Sequence, residues 1–142
     1  MTYHANLSTH HVEQAGRGLV MFELAKRGYT VQFTGSRFPT ADLLVVSSSD
    51  KHFGIDIKAQ KTKNFWRMKC PLDSEQLFYC FTYIGSISSL PEIYIMPSKL
   101  VSTLWHEYKN AAVARSVNDD NIWGLKWTTP RPYKDNWACL PG

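Results

Sequence analysis

The chain predicts a single α/β domain, a mixed five-stranded sheet flanked by an N-terminal and a C-terminal helix. Three observations carry that prediction. Apolar residues recur at helical spacing in two segments. Five short runs rich in β-branched and aromatic residues lie between them. The 142 residues are one ordinary domain's length, enough to bury roughly two thirds of the unfolded surface.

From about Ser8 to Arg27 the spacing is helical. Val12, Ala15, Gly16, Leu19, Phe22 and Glu23 fall on one arc at about 100° per residue. Ser8 or Thr9 is available as N-cap, and Gly28 suits the position just past the helix end. YTVQF (29–33) reads as a strand and GSRFP as its turn. DLLVV (42–46) and FGIDIKAQ (53–60) read as a hairpin over SSSDKH. The basic stretch 61–75 carries no clear period and reads as a loop. QLFYCFTYIG (76–85) and EIYIM (92–96) read as strands, and residues 97–115 as a helix with Ser98 as N-cap. The segment from Ser116 holds three of the five tryptophans and three of the seven prolines, and is expected to wrap over the core. No internal repeat or domain boundary interrupts residues 1–142.

A composition of 44% hydrophobic and 20% charged residues excludes a disordered chain. The net charge of +4 fits a polyanionic partner such as nucleic acid without requiring one. Three cysteines without a CxxC pair argue against a disulfide framework or a thiolate zinc site. The N-terminus is polar, and no apolar run approaches the ~18 residues of a membrane span. A soluble cytoplasmic protein with no membrane partner is the expectation.

The central hairpin carries the chemistry. Alternation puts Asp56, Lys58 and Gln60 on one strand face and Ile55, Ile57 and Ala59 on the other. A turn centred near Asp50 sets Asp42 opposite Lys58; a shifted register sets it opposite Asp56. Either one gathers two carboxylates and an ammonium at cross-strand pair distances. The carboxylates repel unless a cation intervenes. Lys58 supplies one charge, and a divalent metal held by Asp42, Asp56 and the Ile57 carbonyl would supply the rest. An ordinary ion pair in a solvated face is the competing reading.

Helix, strand, PTAD with Pro39 and Asp42, then IDIK with Asp56 and Lys58, resembles the PD-(D/E)XK nuclease superfamily. AGRGLVMFELAKRGYTVQF resembles the lead helix and strand of its small Holliday-junction-resolvase-like members. The resemblance has motif support over about residues 13–60 and rests on general pattern over 76–142. It implies a restriction-endonuclease-like core that hydrolyses DNA, duplex or branched, with Mg²⁺ or substituting Mn²⁺. Asp42 and Asp56 would be the metal ligands, Lys58 the catalytic lysine and Gln60 an accessory contact. A homodimer is compatible with it, since many such enzymes cut duplexes as dimers. Arg17 stands where many resolvase-like members place a metal-assisting glutamate. Glu23, the acidic residue considered in its place, either approaches the site or pairs with Arg27 at i+4.

KTKNFWRMK (61–69) interleaves basic and aromatic residues. Lys61, Lys63, Trp66 and Arg67, with Arg37 of the preceding turn, are candidate nucleic-acid contacts. Trp66 packing under the sheet is the alternative. The histidines lack zinc-ligand spacing, and Cys80 reads as core. Three functions stay open: a nuclease, a catalytically inactive nuclease-fold module that binds nucleic acid or a protein, and an accessory protein whose trio is an ordinary ion pair.

Overall fold

The computed structural model of the chain describes residues 7–35, 41–115 and 123–142. Helix α1 (Thr9–Lys26) begins where the Ser8 hydroxyl accepts the His11 amide N–H at 3.2 Å. It gives way at Gly28, whose φ of 90° suits glycine. Strands β1 (Thr30–Phe33), β2 (Leu43–Val46) and β3 (His52–Gln60) follow, then the two-residue β4 (Trp66–Arg67). Strands β5 (Leu77–Tyr83) and β6 (Glu92–Pro97), helix α2 (Ser98–Ala114) and the short β7 (Gly124–Leu125) complete the order.

The main sheet runs β1-β2-β3-β5-β6. Every step is antiparallel except β3–β5, which is parallel. The fold is therefore α/β with a five-stranded mixed sheet and two helices, as the sequence predicts. β5 is buried from Leu77 to Thr82, because a strand with a neighbour on each edge and a layer on each face reads as a continuous apolar run. Alternation divides the core. Ile55, Phe78, Cys80 and Ile95 pack with Val20 and Leu24 of α1. Tyr79, Phe81, Tyr94 and Met96 pack with Val101 and Trp105 of α2 and with Trp66 and Leu125 of the β4–β7 ribbon. The final segment does wrap: Trp123 joins the α2 side, Leu140 the α1 side, and the Tyr29 hydroxyl donates to the Pro141 carbonyl at 2.8 Å.

Three local expectations change. The 61–75 stretch is not all loop, since Trp66–Arg67 pair with Gly124–Leu125 across the chain, a partner too distant for local periodicity to show. The buried line of α1 is Val12, Gly16, Val20 and Leu24, and Phe22 is 60% exposed. The helix lies so close to β3 at Gly16 that a Cβ there would stand 2.7 Å from the Ala59 Cβ. Contact thus runs along the i±4 row through that glycine. Ser98 does not cap α2; Pro97 holds that position. The buried Ser98 hydroxyl instead donates to the Ser74 carbonyl at 2.8 Å and accepts the Ser74 N–H at 2.9 Å, tying the 61–76 connection to α2. Among the described residues no helix is long and apolar enough to cross a membrane.

Candidate functional site

The β2–β3 ladder starts from the pair Val46↔His52 and ends at Leu43↔Ile55. Asp42 continues it with its side chain. Its N–H donates to the Ile55 carbonyl at 2.8 Å, and its Oδ2 accepts the Ile57 N–H at 2.7 Å, where a strand carbonyl would otherwise serve. One step beyond this ladder, the register sets Asp42 level with Asp56 rather than Lys58. The reason lies in the turn, whose Ser47–Lys51 closure centres the hairpin on Ser49, one residue before Asp50.

Asp56 and Lys58 share a face of β3, registered against Tyr79 and Phe81 of the parallel neighbour. Lys58 Nζ lies 3.2 Å from Asp56 Oδ1, with side chains 34% and 17% exposed. Burial raises the Asp56 pKa; the Lys58 charge opposes that rise and the Asp42 charge adds to it. These groups line a pocket of about 450 Å³, together with Glu13 and Arg17 of α1 and Arg67 of β4. The pocket thus wraps the β3 edge from the helix to the ribbon.

Of the other described candidates, Gln60, Trp66 and Arg67 line the pocket, and Glu23, Lys61 and Lys63 do not. Glu23 pairs with Arg27 and Lys26 on the helix surface, and the Arg27 hydrogen bond holds its carboxyl below the usual range. It stands about 15 Å along the helix from Glu13, so its contribution is local to α1. Gln60 lines the pocket, but its amide donates to the Phe65 carbonyl at 2.7 Å and accepts the Asn64 N–H at 3.2 Å. Those two bonds shape the connection. Trp66 is only 4% exposed, its ring edge-on to Phe81 at 5.1 Å, so it packs under the ribbon and offers no face to a base. Lys61 lines a separate shallow groove with Leu7 and Thr9. Lys63 lies outside the pocket, beside Tyr83 and Trp127. Arg37 and Pro39 lie outside the described residues.

Glu13 is the pocket carboxylate that sequence reasoning passed over. It precedes Arg17 by one turn and sits beside the Val12–Gly16 contact line. The signal was the small residue Gly16, which marks where the helix touches β3. The predicted arc instead drew attention ten residues on, to Glu23.

The donor set suits a hard cation. Of the pocket's three carboxylates, Asp42 and Asp56 come from the hairpin, and the Ile57 carbonyl leaves β3 on the same edge as the N–H that Asp42 accepts. Among the described residues no three histidine, cysteine, aspartate or glutamate side chains form a closed metal cage. Two carboxylates with room for water match Mg²⁺, which keeps several waters and is usually held by one or two carboxylates. Searches of protein-family models, curated proteins and solved structures return no match to this chain.

Proposed function

We propose that the chain is a metal-dependent nuclease that hydrolyses DNA phosphodiester bonds, endo- or exonucleolytically, on a restriction-endonuclease-like core. The observation that carries this reading is the convergence of Asp42, Asp56 and Lys58 in one pocket at the β3 edge. Asp42, Asp56 and the Ile57 carbonyl would hold Mg²⁺. Bound there, the cation would polarise the scissile phosphate and lower the pKa of water. The Lys58 ammonium orients the attacking water and steadies the charge that develops on the phosphate oxygens. Arg67, which lines the pocket from the ribbon, would draw the DNA backbone in.

Labelled duplex, single-stranded and branched DNA, and RNA, are incubated with wild type, Asp42→Ala and Lys58→Ala in Mg²⁺, Mn²⁺ or EDTA. Metal-dependent cutting of DNA that disappears in both variants is the expected result. A wild type that cuts nothing in either metal overturns the reading.

A second reading has its own observation. Arg17 lines the same pocket, its guanidinium 4.3 Å from the Phe33 ring centroid. A built-in cation there favours a catalytically inactive module that binds nucleic acid or a protein. Salt-dependent DNA binding that persists in EDTA, without cleavage in any metal, distinguishes this outcome.

A further inference from the structure

The pocket continues into a second cluster that the trio does not use. Gln60, at the pocket's end, is registered against Tyr83 and fixes the 64–65 segment through its amide. Lys63 of that connection sits 5.2 Å from the Tyr83 ring centroid and 5.5 Å from that of Trp127. The Arg131 guanidinium lies 5.4 Å from the same Trp127 centroid. Trp127 is half-buried, and its carbonyl accepts the indole N–H of Trp66, the pocket-lining tryptophan, at 3.4 Å. Lys134 pairs with Glu92, which also pairs with Lys63 and accepts from the Tyr94 hydroxyl. Two lysines therefore flank one carboxylate and Arg131 adds a third cation beside Trp127, so that even with Asp135 nearby the cluster keeps an excess of positive charge.

We propose that Trp127, Lys63 and Arg131 form a contact surface for an unpaired DNA strand leaving the pocket, a base stacking on Trp127 and phosphates meeting the two cations. Three features select this partner. The excess charge calls for an anion, and cations spaced around one ring match a backbone of repeated phosphates better than one isolated anion. A base stacking on the part-exposed indole would exchange with a cation that lies over it or sandwich that cation, and only an unpaired base can reach it. The hydrogen bond from Trp66 ties the Trp127 backbone to the pocket wall, so a strand held in one continues to the other. Lys63 and Arg131 already rest against aromatic faces, and guanidinium–ring contact is compatible with a stacked base. The surface replaces Trp66, which is buried, as the stacking element.

The inference rests on the nuclease reading, and its test separates the two. Fluorescence anisotropy of a labelled single-stranded oligodeoxynucleotide and its duplex is followed in EDTA over a salt series. Wild type, Trp127→Ala and the double variant Lys63→Gln/Arg131→Gln are compared, with circular dichroism to check folding. Wild type is expected to prefer the single strand. Trp127→Ala should weaken that binding roughly tenfold, the range of one base–aromatic stack. The double variant removes exposed charges without opening the core. Its slope of log K against log salt should shrink by roughly 0.7 for each lost phosphate contact. Binding and slope unchanged in the folded double variant overturn the surface. A wild type that cuts duplex DNA in Mg²⁺ but holds no single strand overturns the surface and leaves the nuclease reading standing. A wild type that neither cuts nor binds overturns both.

Discussion

Asp42 accepts the Ile57 amide N–H on its carboxylate at 2.7 Å, so one residue both extends the β2–β3 pairing and faces the pocket. The backbone of β3 therefore positions the carboxylate, and the carboxylate satisfies the backbone. Removing the side chain should harm folding and function together, while an isosteric amide should separate them.

Asp42→Ala leaves the Ile57 N–H without its acceptor and should lower stability by about 1–3 kcal/mol in urea unfolding. Asp42→Asn keeps an oxygen acceptor and should recover most of that loss. Neither variant restores the negative charge, so on the nuclease reading both should cut at least about a hundredfold more slowly. Recovery of cutting in Asp42→Asn would show that the charge is not needed.

The raised pKa of Asp56 gives a pH signature. Burial, the largest cause, makes the folded state hold this proton more tightly than the unfolded chain does. Stability from this group is thus full below the ordinary value of 3.8 and is lost as pH climbs through the raised folded value. Asp56→Asn should flatten that fall and be the relatively more stable form at neutral pH. Mg²⁺ should compensate the ionised wild type, raising Tm at pH 7.5 by an amount that shrinks on acidification. At one hundred times Kd the gain is about 2.7 kcal/mol. EDTA should abolish it, and Asp56→Asn should lack it. A Tm equal with and without Mg²⁺ in wild type at pH 7.5 would argue against a cation held here.

Glu13 and Glu23 lie on the same helix and should behave oppositely. Glu23→Ala breaks an exposed i,i+4 pair with Arg27, worth about 0.2–0.5 kcal/mol, and should leave cleavage unchanged. Glu13→Gln changes the pocket's charge and should slow cleavage by about ten- to a hundredfold, as loss of a group supporting a metal site does. Parallel single-turnover assays with denaturation curves check both expectations.

Gly16 sets the spacing between α1 and β3. A methyl there would meet Ala59 Cβ at 2.7 Å and Thr82 Oγ1 at 2.9 Å. Gly16→Ala should destabilise by about 1–3 kcal/mol from overpacking, against a helix-propensity gain of about 1 kcal/mol. Ala59→Gly in the same chain should relieve part of the clash. A double-mutant cycle showing simple additivity would mean that the two residues do not touch.

The sequence by itself determined the order of the two helices and the five strands of the main sheet, the hairpin, and the grouping of Asp42, Asp56 and Lys58, because strand alternation and helical periodicity are local, but it did not show the β4–β7 ribbon. The tertiary structure decided the rest. The register turned on a single residue of turn centre, Ser49 against Asp50, which propensity does not resolve. The choice of Glu13 over Glu23 followed from the close approach at Gly16, which depends on side chains of β3 and β5. Trp66 went into the core because it meets Phe81 and residues of the β7 segment. Its indole reaches Trp127, 61 positions later. Such contacts join parts of the chain whose separation no periodicity records, and only packing brings them together.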